Sequence, residues 1–310
     1  MKVKRFPVNP ILTPNSHWWE NAGVFNAASI EHEGKIYLLY RAMGEDHISR
    51  FGLAVSEDGF NFDQRFDLPA YECVDGDEYE RFGCEDPRIT PIDGTYYITY
   101  VGASVYPARH PRPAFTNGAP WRCRVGLLST NDFQSFKKHG IILPDQDNKD
   151  VVLFPGKVNG RYVMIHRDFP HMCLAYSDDL MEWTDHKPFM TTRNGYWDCN
   201  RLGAGAPPVK TERGWLEIYH GVGDDMHYHL GIVLLDLDDP SKILARSRRP
   251  LLSPEKEYEK VGIVPNVVFT CGVVERDSEY LIYYGAADKV IAGCILEKEG
   301  LFNSPDLEWF

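Results

Sequence analysis

Apolar residues recur along this chain in short runs, many of them alternating with polar ones, and not in the three-to-four spacing of long amphipathic helices. One run returns five times: a turn, a strand rich in Tyr, Ile, Leu and Val, then a small or polar residue. Its copies are residues 34–42 (GKIYLLYRA), 94–103 (GTYYITYVGA), 160–168 (GRYVMIHRD), 214–222 (GWLEIYHGV) and 279–287 (EYLIYYGAA). Each follows a second apolar stretch: FNAASIEHE, EDPRITPID, VLFPGKVN, GAPPVKTER or FTCGVVERD. Most copies are followed by a third, as in SRFGLAVSEDGFNF, CRVGLLSTNDFQSF and HMCLAYSDDLMEW, with HLGIVLLDLDDPSKI as a variant. In these the strand runs into Ser or Thr and then Asp, side chains that bond nearby amides in tight turns. A short closing strand is visible at 141–144 (IILP) and 250–254 (PLLSP).

Four short strands repeated radially make a propeller blade. The repeats therefore predict an all-β, five-bladed β-propeller occupying residues 1–310 as a single domain, rather than an ordinary β-sandwich. NPILTP at 9–14 resembles RPLLSP at 249–254 but precedes the first repeat, while the last repeat stops near Glu297 without such a strand. The expectation is that the N-terminal strand completes the last sheet and closes the ring. One insertion, residues 104–121 (SVYPARHPRPAFTNGAPW), is long for a compact domain and reads as a stiff flap over one face or an oligomer contact.

Composition narrows the function. Lys and Arg total 33 against 45 Asp and Glu, a net charge of 33 − 45 = −12. A general nucleic-acid or anionic-membrane surface is therefore not expected, and no apolar run is long enough for a membrane span. Aromatics reach 13%, which suits strands and also sugar-stacking sites. Seven scattered cysteines without a CxxC pair, and no apolar signal segment, are expected of a cytoplasmic protein with free thiols. No HExxH or phosphate-loop motif occurs, and Asp75-Gly-Asp77-Glu78 lacks the calcium-loop pattern. His227-Tyr-His229 could ligate a metal, but alternate His on a strand more often face solvent or hydrogen-bond, so no metal is expected; nor is a cofactor.

What remains is a set of polar residues at the ends of apolar strands: Arg41, Asp86 and Arg88, Arg124, His166-Arg167, Lys210, Tyr219-His220 and Asp288. Charged groups are rarely buried unpaired. At matching positions of separate blades they would meet around the central channel; Glu85 and Arg88 are the first candidates for structural ion pairs. The set is mostly basic in an acidic protein, and Arg forks match phosphate oxygens. One carboxyl could then serve as proton donor, and an attacking phosphate would replace the second carboxylate that ordinary glycosidases need.

GCEDPRIT, DVVLFPGKVNGRYVMIHR, GAGAPPVKTERGWLEIYHGV and YYGAAD together resemble glycoside hydrolase family 130, over essentially the whole chain. The resemblance implies a five-bladed propeller acting on β-mannosides. It implies inverting phosphorolysis with inorganic phosphate as co-substrate, giving α-mannose 1-phosphate; the alternative is a β-mannosidase using water. It implies Asp86 as general acid, its proton passing through a sugar hydroxyl. Asn26, Arg41, Arg50 and Asp288 match the mannosyl-binding positions. Lys210, Arg167 and His220, joined by Arg124 and Tyr284, match the phosphate cluster. An acid working near neutral pH needs a raised pKa, with Glu85 as a neighbour that could supply the repulsion.

Two further readings stand beside these. A noncatalytic sugar-binding propeller would not need Asp86. A furanoside hydrolase would need further carboxylates, for which Asp150 and Asp198 are the spare candidates. Trp18, Trp19, Trp121 and Trp197 are candidates for a platform beside the mannosyl site. A homo-oligomer is compatible with the proline-rich insertion.

Overall fold

The computed structural model describes residues 1–73, 76–106 and 120–310. The runs read from the sequence are strands, arranged as five antiparallel sheets. Blade 1 consists of Gly23–His32, Lys35–Met43, Ser49–Ser56 and Gln64–Arg65. Blade 2 consists of Cys84–Ile92, Thr95–Val105, Trp121–Thr130 and Lys137–Leu143. Blade 3 has a two-residue inner strand, Val152–Leu153, followed by Tyr162–Asp168, His171–Ser177 and Thr184–Thr191. Blade 4 runs through Arg201–Ala204, Gly214–Val222, Tyr228–Leu235 and Ile243–Ser247, with Leu307–Trp309 added at its outer edge. Blade 5 consists of Val268–Glu275, Glu279–Ala286 and Val290–Glu297, and its fourth strand is Val3–Arg5.

The N-terminal segment thus adds the outer strand of the last sheet, pairing Val3 with Leu296 and Arg5 with Cys294. The strand lies upstream of the 9–14 run on which the expectation rested; that run contributes one bridge, Leu12 to Ile291. The insertion at 104–121 falls mostly outside the described residues.

The core lies between blades. Five apolar clusters each join two neighbouring sheets: Leu39 and Phe51 with Ile98, Leu127 with Met164, Ile165 with Leu202, Ile232 with Ile282, and Leu281 with Leu38. Followed in turn they return to blade 1, so the five sheets surround a central channel. The Ser/Thr-x-Asp segments are side-chain-bonded turns as expected. Ser56 Oγ accepts from Gly59 N at 2.9 Å and Asp58 Oδ1 from Phe60 N at 2.8 Å, and Ser177 and Asp179 repeat this with Leu180 and Met181.

Four blades also share a buried triad. A carboxylate from the segment before the inner strand meets a tyrosine of the second strand and a cation of the fourth. In blade 1, Tyr40 Oη donates to Glu20 Oε2 (2.8 Å), which also receives Arg65 (2.7 Å). Blade 2 uses Tyr100, Glu80 and Lys138. In blade 4 Tyr219 donates to Asp198 Oδ2 (2.8 Å), which receives Arg246 (2.7 Å). Blade 5 uses Tyr284, Glu259 and Arg5. All four carboxylates are buried. These pairs satisfy charges the fold has desolvated and fix the loop that enters each inner strand. Tyr284 and Asp198 are therefore committed to blade structure. Neither lines the channel cavity, which corrects the anion-contact expectation for Tyr284 and removes Asp198 as a spare catalytic carboxylate.

Candidate active site

A cavity of about 150 Å³ opens on the channel axis, lined from all five blades. Its polar residues fall into two groups. Asn26, Arg41, Asp86 and Asp288 come from blades 1, 2 and 5; Lys149, Asp150, Arg167, Arg201 and His220 come from blades 3 and 4. Tyr228, Val264, Val267 and Phe269 supply the less polar wall.

Local backbone geometry aims the first group. Pairing in blade 1 jumps from Phe25–Arg41 to Ala28–Leu39, and in blade 2 from Glu85–Val101 to Arg88–Thr99. These are β-bulges, which re-aim side chains at the ends of sheets. Asn26 (φ 50°) and Asp86 (φ 51°) sit in them in the left-handed region, as do Asp150 (φ 58°) and Asp288 (φ 52°) nearby. Asn and Asp tolerate this region best, and such strain gathers at functional sites.

Asp86 is held on one oxygen. Asn26 Nδ2 donates to Oδ1 at 2.8 Å and Arg41 lies 3.3 Å from the same atom, while Arg41 also pairs with Glu85 (2.8 Å) and Ser49 (2.9 Å). Burial alone would raise the Asp86 pKa. Arg41, Lys149, Arg88 and the Asn26 hydrogen bond outweigh it and hold this carboxyl below its ordinary value. This corrects the expectation of a raised value: Glu85 spends its charge on Arg41 and Lys149 instead of repelling Asp86. The proton sits more readily on Asp288, which burial, Asp86 and Glu85 push up to about 6 against Arg41 and Lys149.

The second group is the cationic end. Arg167 NH1 lies 2.7 Å from Asp150 Oδ2, and His220 Nε2 lies 3.7 Å from it. Burial would raise Asp150, but Arg167, His220, Arg88 and Lys149 hold it well below the usual range. His220 is 1% exposed, and neither ring nitrogen has a hydrogen-bond partner. Burial, with Arg167, Arg88 and Arg201 alongside, pushes its pKa down to about 4 against the pull of Asp150, so the ring is neutral at pH 7. Behind this end Arg88 ties three blades, reaching Asp150 (3.3 Å) and the carbonyls of Gly205 (3.1 Å) and Asp86 (3.0 Å). That is the structural role expected of Arg88.

The structure thus brings together Asn26, Arg41, Asp86, Arg167, His220 and Asp288. Three other candidates lie elsewhere. Lys210 is exposed; its register partner is Trp215, five residues from His220 on one strand, about 17 Å at ~3.4 Å per residue. Pro207 and Pro208 separate it from the true inner strand, Arg201–Ala204. Arg50 and Arg124 lie on third strands, beyond the channel-facing positions of the second. Arg50 pairs with Asp46 (2.8 Å) and Glu72 (2.9 Å) and covers Trp18. Arg124 pairs with Asp147 (2.7 Å) and the Pro144 carbonyl (2.8 Å).

Sequence reasoning does not reach Lys149 or Arg201, and it offers Asp150 only as a spare carboxylate. Their signal is a polar pair before a short apolar run, as in NKDVVLF, matching EDPRIT in the preceding blade. Of the tryptophans, Trp19 is fully buried and Trp197 stacks on Tyr219, so both are packing residues; Trp18 and Trp121 are exposed. His227 Nδ1 lies 3.2 Å from Asp225 Oδ2 and His229 Nδ1 lies 3.0 Å from Ser253 Oγ; the ligand atoms of Asp225, His227 and His229 lie within 4.8 Å of one another, a spacing that could also hold a metal ion.

Fold and site together define a propeller with a small polar cavity on its axis, in which a buried carboxyl, Asp86, shares the lining with Lys149, Arg167 and Arg201. The chain belongs to glycoside hydrolase family 130: a family profile described as beta-1,4-mannooligosaccharide phosphorylase matches residues 2–304. It is 43% identical over 309 residues to a 1,2-beta-oligomannan phosphorylase of Thermoanaerobacter sp., covering 97% of this chain and 99% of that one. It is 31% identical to a beta-1,4-mannooligosaccharide phosphorylase of Ruminococcus albus, covering 94% and 87%. The solved structure of a beta-1,2-mannobiose phosphorylase from Listeria innocua, in complex with beta-1,2-mannobiose, has a TM-score of 0.85 at 29% identity, covering 98% and 99%.

Proposed function

We propose that this protein is a β-mannoside phosphorylase that transfers a mannosyl unit to inorganic phosphate with inversion, giving α-mannose 1-phosphate. The observation that carries the phosphate reading is the cationic end: a buried His220 with both nitrogens unpartnered, beside Lys149, Arg167 and Arg201. Asn26, Arg41, Asp86 and Asp288 hold the sugar. Asp86 donates a proton toward the leaving oxygen by way of a sugar hydroxyl, and phosphate attacks from the side of blades 3 and 4.

Phosphate itself arms the acid in this scheme. The cations around Asp86 favour its ionised form; a phosphate dianion beside them offsets Lys149 and its neighbours and raises the Asp86 pKa. Hydrolysis is disfavoured by Asp150. It stands where a water-activating base would be needed, but its depressed pKa makes it a weak base. Identities of 43% and 42% to relatives named for β-1,2-linked mannosides, against 31% for one named for β-1,4 linkages, favour a β-1,2-mannoside as substrate. Seven free cysteines support a cytoplasmic site of action. Among the described residues no helix is long and apolar enough to cross a membrane.

The test is turnover of β-1,2- and β-1,4-mannobiose with and without phosphate, with products identified by NMR. Phosphate-dependent α-mannose 1-phosphate from the β-1,2 substrate is expected. Free mannose at the same rate without phosphate would overturn the reading.

A further inference from the structure

Four blades carry the carboxylate–tyrosine–cation triad, and blade 3 departs from it. At the three positions stand Asn148, His166 and His186. The correspondence is positional. His166, like Tyr40, Tyr100, Tyr219 and Tyr284, sits on the second strand opposite a small residue of the third: Cys173, where the others face Gly52, Gly126, Gly231 and Ala292. Asn148 precedes its inner strand and is 2% exposed, as Glu20 and Glu80 precede theirs. His186 lies on the fourth strand, as Lys138 and Arg246 do.

The direction of this chain of contacts is set at both ends. His186 Nε2 lies 3.2 Å from the Trp183 carbonyl, which can only accept, so Nε2 carries the proton. His186 Nδ1 then accepts, and His166 Nε2, 2.9 Å away, donates. His166 Nδ1 is left with a lone pair, which receives Asn148 Nδ2 at 3.0 Å. At the far end Asn148 Oδ1 accepts from the backbone N–H of Arg167 (3.1 Å) and of Lys149 (3.0 Å). This assignment satisfies every contact with neutral groups, and reversing any one link sets two donors or two acceptors face to face. Burial and His186 push the His166 pKa down to about 4, consistent with a neutral ring.

We propose that Asn148, His166 and His186 are positioning residues for the anion end of the cavity: they hold the backbone of Lys149 and Arg167 without the buried negative charge that the other blades use. The proposal rests on the phosphorylase reading above. A carboxylate at position 148 would face the His166 lone pair and force that ring to protonate or turn. It would also add negative charge within two residues of Asp150, on the side where phosphate must enter. Blade 4, the other contributor to this end, keeps its carboxylate but surrounds Asp198 with two guanidiniums, Arg193 and Arg246.

The experiment has two arms on the full-length chain. In the first, ¹⁵N-resolved NMR of the histidine rings at pH 7 reads the His166 tautomer directly. A neutral ring protonated on Nε2 is expected; a proton on Nδ1, or on both nitrogens, overturns the chain of contacts. In the second, steady-state kinetics compare wild type, Asn148→Asp and the double variant Asn148→Asp/His166→Tyr, which restores the carboxylate and the tyrosine of the other blades. Both variants are expected to raise the phosphate KM about tenfold, the scale of one added charge near a bound dianion, with the mannoside KM unchanged. If the double variant recovers the wild-type phosphate KM, the departure is merely structural and the proposal is wrong. Failure of the wild type to need phosphate would instead remove the phosphorylase reading, and the NMR arm would still decide the contacts.

Discussion

Replacing Asp288 with Asn should stabilise the protein in a pH-dependent way. Burial and the charges of Asp86 and Glu85 move this carboxyl from 3.8 to about 6. At ~1.36 kcal/mol per pH unit this displacement corresponds to about 3 kcal/mol of destabilisation once the group is fully ionised. The sign follows from linkage. A raised pKa means the native state binds the proton more tightly, so the group does no harm below about pH 4. Stability is lost as pH rises from about 4 to 6 and stays lost above that. An uncharged, nearly isosteric amide avoids both the desolvation and the repulsion. With an unfolding entropy of ~2.1 cal/mol/K per residue, 310 residues convert about 3 kcal/mol into a Tm gain of roughly 4–5 °C at pH 7. Thermal unfolding of both proteins at pH 4, 5, 6 and 7 measures it; groups common to both cancel in the difference. The Tm gap should be near zero at pH 4 and reach a plateau above pH 6. A gap independent of pH, or a less stable variant at pH 7, would refute the electrostatic reasoning. The same variant should lose mannoside turnover, the trade of stability for function expected where like charges are held together.

Asp86→Asn should lower kcat for phosphorolysis by about 10²–10⁴; near-normal turnover would remove it from the acid role. Lys149→Met should raise the phosphate KM by tenfold or more, while Lys210→Met should leave it unchanged, because Lys210 is exposed about 17 Å along the strand from the cavity. Equal effects from the two lysines would contradict the placement of the anion end. Glu20→Gln leaves the half-buried Arg65 without its charge partner at a fully buried position and should destabilise by about 2–3 kcal/mol in chemical denaturation, with an unchanged phosphate KM in the folded enzyme. A loss below 1 kcal/mol would mean the blade 1 triad contributes little to stability.

The legible part of this protein is the part set by near neighbours. Alternation at period two, Asx and Ser turns and a recurring aromatic strand are local properties, and they sufficed for five blades. Arg41, Arg167 and His220 could be found because each directly follows the buried Tyr40, His166 or Tyr219 in that strand, a fixed offset within one repeat. Tyr284 shows the limit of the same logic. It occupies the buried position itself, and only the distant Glu259 and Arg5 reveal that it belongs to a triad.

Residues whose place depends on pairing between separate segments were not legible. Lys210 sits in an apolar run that reads as an inner strand, but Pro207 and Pro208 break it and the register with Trp215 carries it outward. Arg50 and Arg124 lie one strand too far from the axis, where local carboxylates claim them. The charge state of Asp86 was misjudged because Lys149, 63 positions later in the chain, is among the cations that hold it ionised.

The sequence by itself determined the strand pattern, the number of blades and the arrival of Asp86, Arg41, Arg167 and His220 at the channel, because these follow from spacing within a repeat. Only the tertiary structure decided which cations meet at the channel, which carboxyl holds the proton and why blade 3 lacks the triad. Those depend on distances between chain segments that no spacing rule contains, and in a desolvated site those distances set the energies.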